Sequence, residues 1–204
     1  SGNNGGDALF AGAILARRGV RVSAWRTGSS VHEAGWTEFL AAGGREVDAT
    51  AALAHLGAQR CVVDGVAGIG SRPGLAPRVA ALASACRERR VPVVAVDLPS
   101  GLAPEPPLVE APHFTAELTV TFGGYKLCQL TEPGRSACGE VQLVDIGLDT
   151  SGARAWRVTA EDVAAWLPSP DREAHKWKAA AWLVAGSPGM TGASRLAASS
   201  ALRS

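Results

Sequence analysis

Apolar positions along the 204-residue chain fall into two kinds of run. Short runs rich in β-branched residues recur, each ending in a polar or glycine-bearing break: VRVSAW (20–25), RCVVDG (60–65), VPVVAVDLPSG (91–101), LTVTFGG (118–124) and EVQLVDIG (140–147). Between several of them lie longer alanine- and leucine-rich segments with helical spacing, over 7–18, 33–42 and 75–90. Near-continuous apolar strands alternating with helices predict an α/β fold, a Rossmann-like three-layer sandwich with a mainly parallel sheet. The segment 101–116, GLAPEPPLVEAPHFTA, is too proline-rich for a crossover helix and predicts a surface excursion. The chain opens on SGNNGG, read as a glycine- and asparagine-rich loop leading into the first helix. Such loops follow a strand, so the sheet is expected to lack its first strand here.

The pattern changes after Asp149. VTAEDVAAWLPSPDREAHKWK predicts a short helix over 160–166 and then a linker. AAAWLVAGSPGMTGASRLAASSALRS then repeats strand, glycine-rich turn and helix. The expected organisation is a domain over 1–150, a linker over 151–178 and the beginning of a second domain over 179–204.

Composition narrows the function classes. A hydrophobic fraction of 47% and a charged fraction of 19% describe a globular chain able to bury a core. Net charge is +1 and the arginines are scattered, which argues against nucleic acid or a membrane surface as partner. No apolar run approaches the ~18 residues a membrane span needs. Cys61, Cys86, Cys128 and Cys138 form no CxxC pair, and with no secretory signal they predict reduced thiols in a cytoplasm. Cys61, in a strand-like run, and Cys86, in a helix-like one, read as buried filler; Cys128 and Cys138 flank a loop.

In an open parallel sheet, ligands bind beyond the carboxyl ends of the strands. Three strand ends carry unusual chemistry: VVDGVAGIGSRPG with Asp64, Gly68 and Gly70; VAVDLPSG with Asp97, Ser100 and Gly101; and TVTFGGYK with Gly123, Gly124 and Lys126. The opening stretch, Asn3 to Asp7, adds a fourth. Singly, each reads more readily as a helix cap or a tight turn. Together on one rim they suggest more. Glycines admit phosphate to the backbone, and helix N-termini bind it. Asn, Asp and Ser oxygens suit a hard cation, while a carboxylate and an ammonium suit proton transfer.

In this order, GNNGGDAL, VDGVAGIGSRPG, VAVDLPSGL and TVTFGGYK resemble the NAD(P)H-hydrate epimerase family, and GEVQLVDIGL resembles the last strand of that domain. The resemblance covers about residues 1–150. The last thirty residues are similar to the start of an ADP- or ATP-dependent NAD(P)H-hydrate dehydratase domain of ribokinase-like fold, which bacteria often fuse behind the epimerase. The chain is thus expected to be an internal piece of a bifunctional repair enzyme. The implied substrate is hydrated NADH or NADPH, with a hydroxyl at nicotinamide C6 that the epimerase interconverts between R and S forms.

The resemblance assigns roles by motif. Asn3, Asn4, Gly5, Gly6 and Asp7 are expected to contact the dinucleotide, with Gly68, Ile69, Gly70, Ser71, Arg72, Pro73 and Gly74. Asn4, Asp64 and Ser100 match the family's potassium ligands. Asp97 matches a substrate-contacting carboxylate, and Lys126 a lysine near the reacting ring; these are the expected catalytic pair. Family members are often homo-oligomers. Three positions depart from the pattern: Ala8 where glycine is common, Leu127 and Cys128 where KPG-like residues are frequent, and HKWKAAA in place of a serine–arginine–glycine turn. The competing readings are a non-catalytic dinucleotide- or protein-binding module and a dehydrogenase. The latter is disfavoured because no GxGxxG follows a strand and no acidic residue ends the second strand at ribose-binding spacing.

Overall fold

The computed structural model describes residues 2–70, 72–105, 110–167 and 181–203. The chain divides into two compact units, Ser1–Gly152 and Ala153–Ser204.

The first unit alternates helices and parallel strands: α1 (Gly2–Arg17), β1 (Ser23–Trp25), α2 (Glu33–Ala41), β2 (Arg45–Val47), α3 (Ala49–Ala54), β3 (Val62–Asp64), α4 (Pro77–Arg89), β4 (Val93–Val96), β5 (Leu118–Phe122), α5 (Gly134–Cys138) and β6 (Glu140–Val144). Local chemistry sets several boundaries. The His32 ring accepts from the Gly35 amide at 3.1 Å to begin α2, and Asp48 accepts from Ala51 at 2.7 Å to begin α3. Pro77 opens α4, and Arg90, at φ 55°, closes it in the left-handed conformation.

All strand pairings among the named strands are parallel, as the patterning predicts, but they form two ladders rather than one sheet. β1 pairs with β2, and β3–β4–β5–β6 follow in that order. β4 is the most buried strand, with Val93, Ala95 and Val96 all in the core. Leu56, Val79, Ala83, Cys86 and Phe114 pack on one cluster with it. Its carboxyl end therefore emerges from the interior of the four-stranded ladder.

Four expectations are corrected. The opening stretch Asn3–Asp7 is not a loop but the first turns of α1, because its glycines accept close neighbours that helical packing imposes: a Cβ on Gly6 would lie 2.7 Å from the His32 ring. The 101–116 segment, described over 101–105 and 110–116, is irregular, yet Leu102, Ala103, Phe114 and Ala116 are buried, so it supplies core rather than skirting it. Cys61 is exposed, because it precedes β3 instead of lying within it.

The fourth correction concerns the second unit, which contains α6 (Ala160–Trp166) and α7 (Gly192–Ala201). Thr159 and Asp162 form the reciprocal cap that starts α6. The expected strand is absent over 181–186; the only β-type pairing described there is the Ser187–Met190 bridge. Residues 179 and 180, and most of the expected linker, lie outside the described residues. No described residue of this unit is buried, and Trp182 and Val184 are each 95% exposed. An extended run without a strand beside it has no ladder to join.

Candidate active site

The carboxyl end of β4 turns sharply at Asp97. The Leu98 amide reaches back to the Val96 carbonyl at 2.9 Å, and Asp97, at φ 69°, sits in the left-handed region. This is the strained sense of γ-turn, and such a conformation costs a non-glycine residue on the order of 1–3 kcal/mol unless its surroundings enforce it. Its amide is tied to β5 through the Val120 carbonyl at 2.7 Å.

The turn aims the Asp97 carboxylate at the end of β5. Lys126 Nζ forms an ion pair with Asp97 Oδ1, and also donates to Thr121 Oγ1 at 2.8 Å and to the Phe122 carbonyl at 3.2 Å. Thr121 Oγ1 in turn donates to Asp97 Oδ1 at 3.1 Å. Both charged side chains are largely buried, with 13% and 14% exposure for the carboxylate and the ammonium. Thr121 is fully buried because β5 alternates, turning Thr119 and Thr121 inward. After Lys126, a single 3₁₀ turn (Leu127–Gln129) carries Gln129 back against the pair. Its Nε2 donates to the Asp97 carbonyl at 2.6 Å, and its Oε1 accepts from the Lys126 amide at 2.8 Å.

A second cluster stands at the end of β3. Asp64 is buried, and its carboxylate accepts from Ser100 N at 2.7 Å, Ser100 Oγ at 2.6 Å and Val66 N at 3.2 Å. Burial pushes its carboxyl above the usual range, against these bonds, which favour the charged form. No cationic side chain pairs with it among the described residues. Ser100 Oγ also accepts from Ala67 N at 2.9 Å, so the loop after β3 is laced to the loop after β4. Asn4, in the first turn of α1, faces that loop: a Cβ on Gly68 would lie 3.3 Å from its Oδ1. The Asn4 Nδ2 is buried without a partner.

The structure therefore gathers Asn4, Asp64 and Ser100 around one loop, and pairs Asp97 with Lys126 on the adjoining strand end. Asn3, Asp7, Ile69, Gly70, Arg72 and Pro73 are exposed; Gly5, Gly68 and Gly74 are partly buried and Gly6 is fully buried. Gly74 is tied to the Gly101 carbonyl at 2.8 Å. Ser71 lies outside the described residues. Patterning missed Thr121 and Gln129. Two surface hollows, of about 480 and 500 Å³, lie instead around Trp25 and Arg26 and contain none of these residues. The convergent acid–base chemistry, not the concavity, marks the site.

The cysteines near this rim are internal. Cys128 and Cys138 are free thiols, both fully buried; the hydrogen bond between them lowers Cys128 and, together with burial, raises Cys138. Burial pushes Cys86 up to about 11.

The profile of the family described as "YjeF-related protein N-terminus" matches residues 1–128. The chain is 39% identical over 204 residues to the bifunctional NAD(P)H-hydrate repair enzyme Nnr of Mycobacterium leprae, covering 99% of this chain and 41% of that protein. It is 43% identical over 167 residues to the NAD(P)H-hydrate epimerase of Clavibacter michiganensis, covering 75% of this chain and 72% of the relative. It thus spans about two fifths of the bifunctional relative. The crystal structure of yeast ynu0 (YNL200c) superposes with a TM-score of 0.56 at 17% identity, over 71% of this chain and 62% of that one, which supports the fold. On the match over residues 1–128 and the identity to these relatives, the chain belongs to the YjeF-related protein N-terminus family.

Proposed function

We propose that residues 1–150 form an epimerase site that interconverts the R and S forms of hydrated NADH and NADPH at nicotinamide C6. The observation that carries this reading is the buried Asp97–Lys126 pair at the carboxyl edge of the sheet, in a chain whose relatives are named for that substrate.

The substrate carbon is a hemiaminal. Its hydroxyl leaves as water once protonated, with the ring nitrogen lone pair supplying the electrons. The flat ring cation takes water on its other face, and the added oxygen gives up a proton. Either member of the pair can supply the first proton, and the Asp97 carboxylate can take up the second and face the developing cation. The alternative path, ring opening and reclosure, moves protons in the reverse order. They pass off the hydroxyl and onto the ring nitrogen as the C–N bond breaks, and back again as the ring closes on the other face. The first turn of α1 and the loop over 68–74 are assigned to the dinucleotide phosphates, which helix N-termini and glycine-bearing turns accommodate.

The Asp64 cluster fits a potassium ion on its own chemistry. It holds a buried carboxylate with no cationic partner among the described residues, a hydroxyl, and the Asn4 carboxamide, whose oxygen faces the loop at Gly68. Asn4, Asp64 and Ser100 would hold the ion, which supplies positive charge beside the phosphate loop. Residues 179–204 are assigned to the beginning of an ADP- or ATP-dependent dehydratase domain. Support comes from the alignment with the Mycobacterium leprae enzyme, which covers 99% of this chain. A cytoplasmic setting fits the four free thiols.

The test is direct. Purified R epimer of hydrated NADPH, incubated with the protein, is expected to yield S epimer until the two equilibrate, as read by chromatography. Replacing KCl by choline chloride at equal ionic strength is expected to lower the melting temperature. Failure to interconvert the epimers beyond the spontaneous rate overturns the reading and favours a binding module, while NAD reduction at 340 nm favours a dehydrogenase.

A further inference from the structure

The strained turn at Asp97 needs something to hold it on its carbonyl side. On the amide side the ladder bond to Val120 serves. On the carbonyl side the donor is Gln129 Nε2 at 2.6 Å. The other end of the same carboxamide accepts from the Lys126 main chain at 2.8 Å, and the Gln129 amide donates to the Lys126 carbonyl at 2.9 Å. One planar group, 2% exposed, therefore joins the backbones of the two residues whose side chains meet. Only a side chain with a donor and an acceptor at one terminus can make both bonds.

We infer that Gln129 is a positioning residue for the epimerisation, an assignment that rests on the function proposed above. It fixes the Asp97 carbonyl and the Lys126 amide so that carboxylate and ammonium meet across Thr121. It does not touch the reacting ring. Displacing either catalytic group by a fraction of an ångström misaligns proton transfer while leaving the phosphate loops undisturbed.

Two substitutions separate this role from plain structural support. Gln129→Met keeps length and volume but makes neither bond. It is expected to lower kcat by about 10- to 100-fold with KM within twofold, the scale of loss that small misplacements cause. The Lys126 amide, protected by the Gln129 oxygen, is expected to exchange hydrogen at least about tenfold faster. Gln129→Glu keeps the acceptor for Lys126 and loses the donor to Asp97, so kcat is expected to fall while the Lys126 amide stays slow. It carries the test should Gln129→Met not fold. Unchanged kcat in a folded variant overturns the inference, as does a loss confined to KM. If the unsubstituted protein leaves the epimers unconverted, the functional reading fails. Fast exchange at Lys126 in that same protein overturns the clamp itself.

Discussion

Asp97 occupies a backbone conformation that, among residues other than glycine, aspartate and asparagine tolerate best. Asp97→Asn therefore preserves the turn, the bond from Thr121 and the side-chain volume, and removes the ionisable group. The Lys126 ammonium keeps the Thr121 hydroxyl and the Phe122 carbonyl. R-to-S conversion is expected to slow by about 10²–10⁴-fold, the usual contribution of general acid–base catalysis. NADPH affinity should change little and the protein should stay folded, with a lower melting temperature because the largely buried Lys126 ammonium loses its counter-charge. A normal rate would move the acid–base role to Lys126, whereas joint loss of binding and folding would reduce Asp97 to a loop anchor. Asp64, Asp97, Ser100 and Lys126 were legible in sequence because each follows an apolar run at a strand end. Thr121 was not, because a threonine in a strand also reads as an ordinary β-former. Its signal was phase: the alternation over 118–122 turns positions 119 and 121 to the same side. Gln129 carried no signal, since its partners are main-chain atoms 32 and 3 residues away.

At the level of elements, α1 seats on the end of β3 through one glycine. A Cβ on Gly65 would lie 2.4 Å from the Ala8 Cβ and 3.1 Å from the Asn4 carbonyl. Gly65→Ala is expected to destabilise the protein by about 1–3 kcal/mol in chemical denaturation, as overpacking does. Adding Ala8→Gly removes the nearer clash and should recover part of the loss. A double variant no more stable than Gly65→Ala would place the strain at the Asn4 carbonyl instead. The helices over 33–42 and 75–90 were readable from spacing and lie within a residue or two of the observed α2 and α4. β2 was not readable, because REV contains no apolar run and is a strand through its pairing with β1. The first turn of α1 was misread for the opposite reason. Glycines that signal loops locally serve here to let His32 and Gly65 approach the helix.

For the whole chain, the absence of any buried described residue beyond Gly152 means that this unit contributes little to the cooperative core. A chain ending at Gly152 is expected to keep the melting temperature of the 204-residue chain in scanning calorimetry. A fall of several degrees would show that the core draws on residues 153–204. The sheet's interruption has a colloidal consequence. Two ladders present four margins with no strand beside them among the described residues, where one continuous sheet presents two. Val63, on the β3 margin, is 37% exposed. Such margins are templates for backbone pairing between molecules, and a net charge of +1 gives almost no long-range repulsion to oppose it. Any association through these margins is expected to be short-range and hydrogen-bonded, rising with protein concentration and changing little with salt.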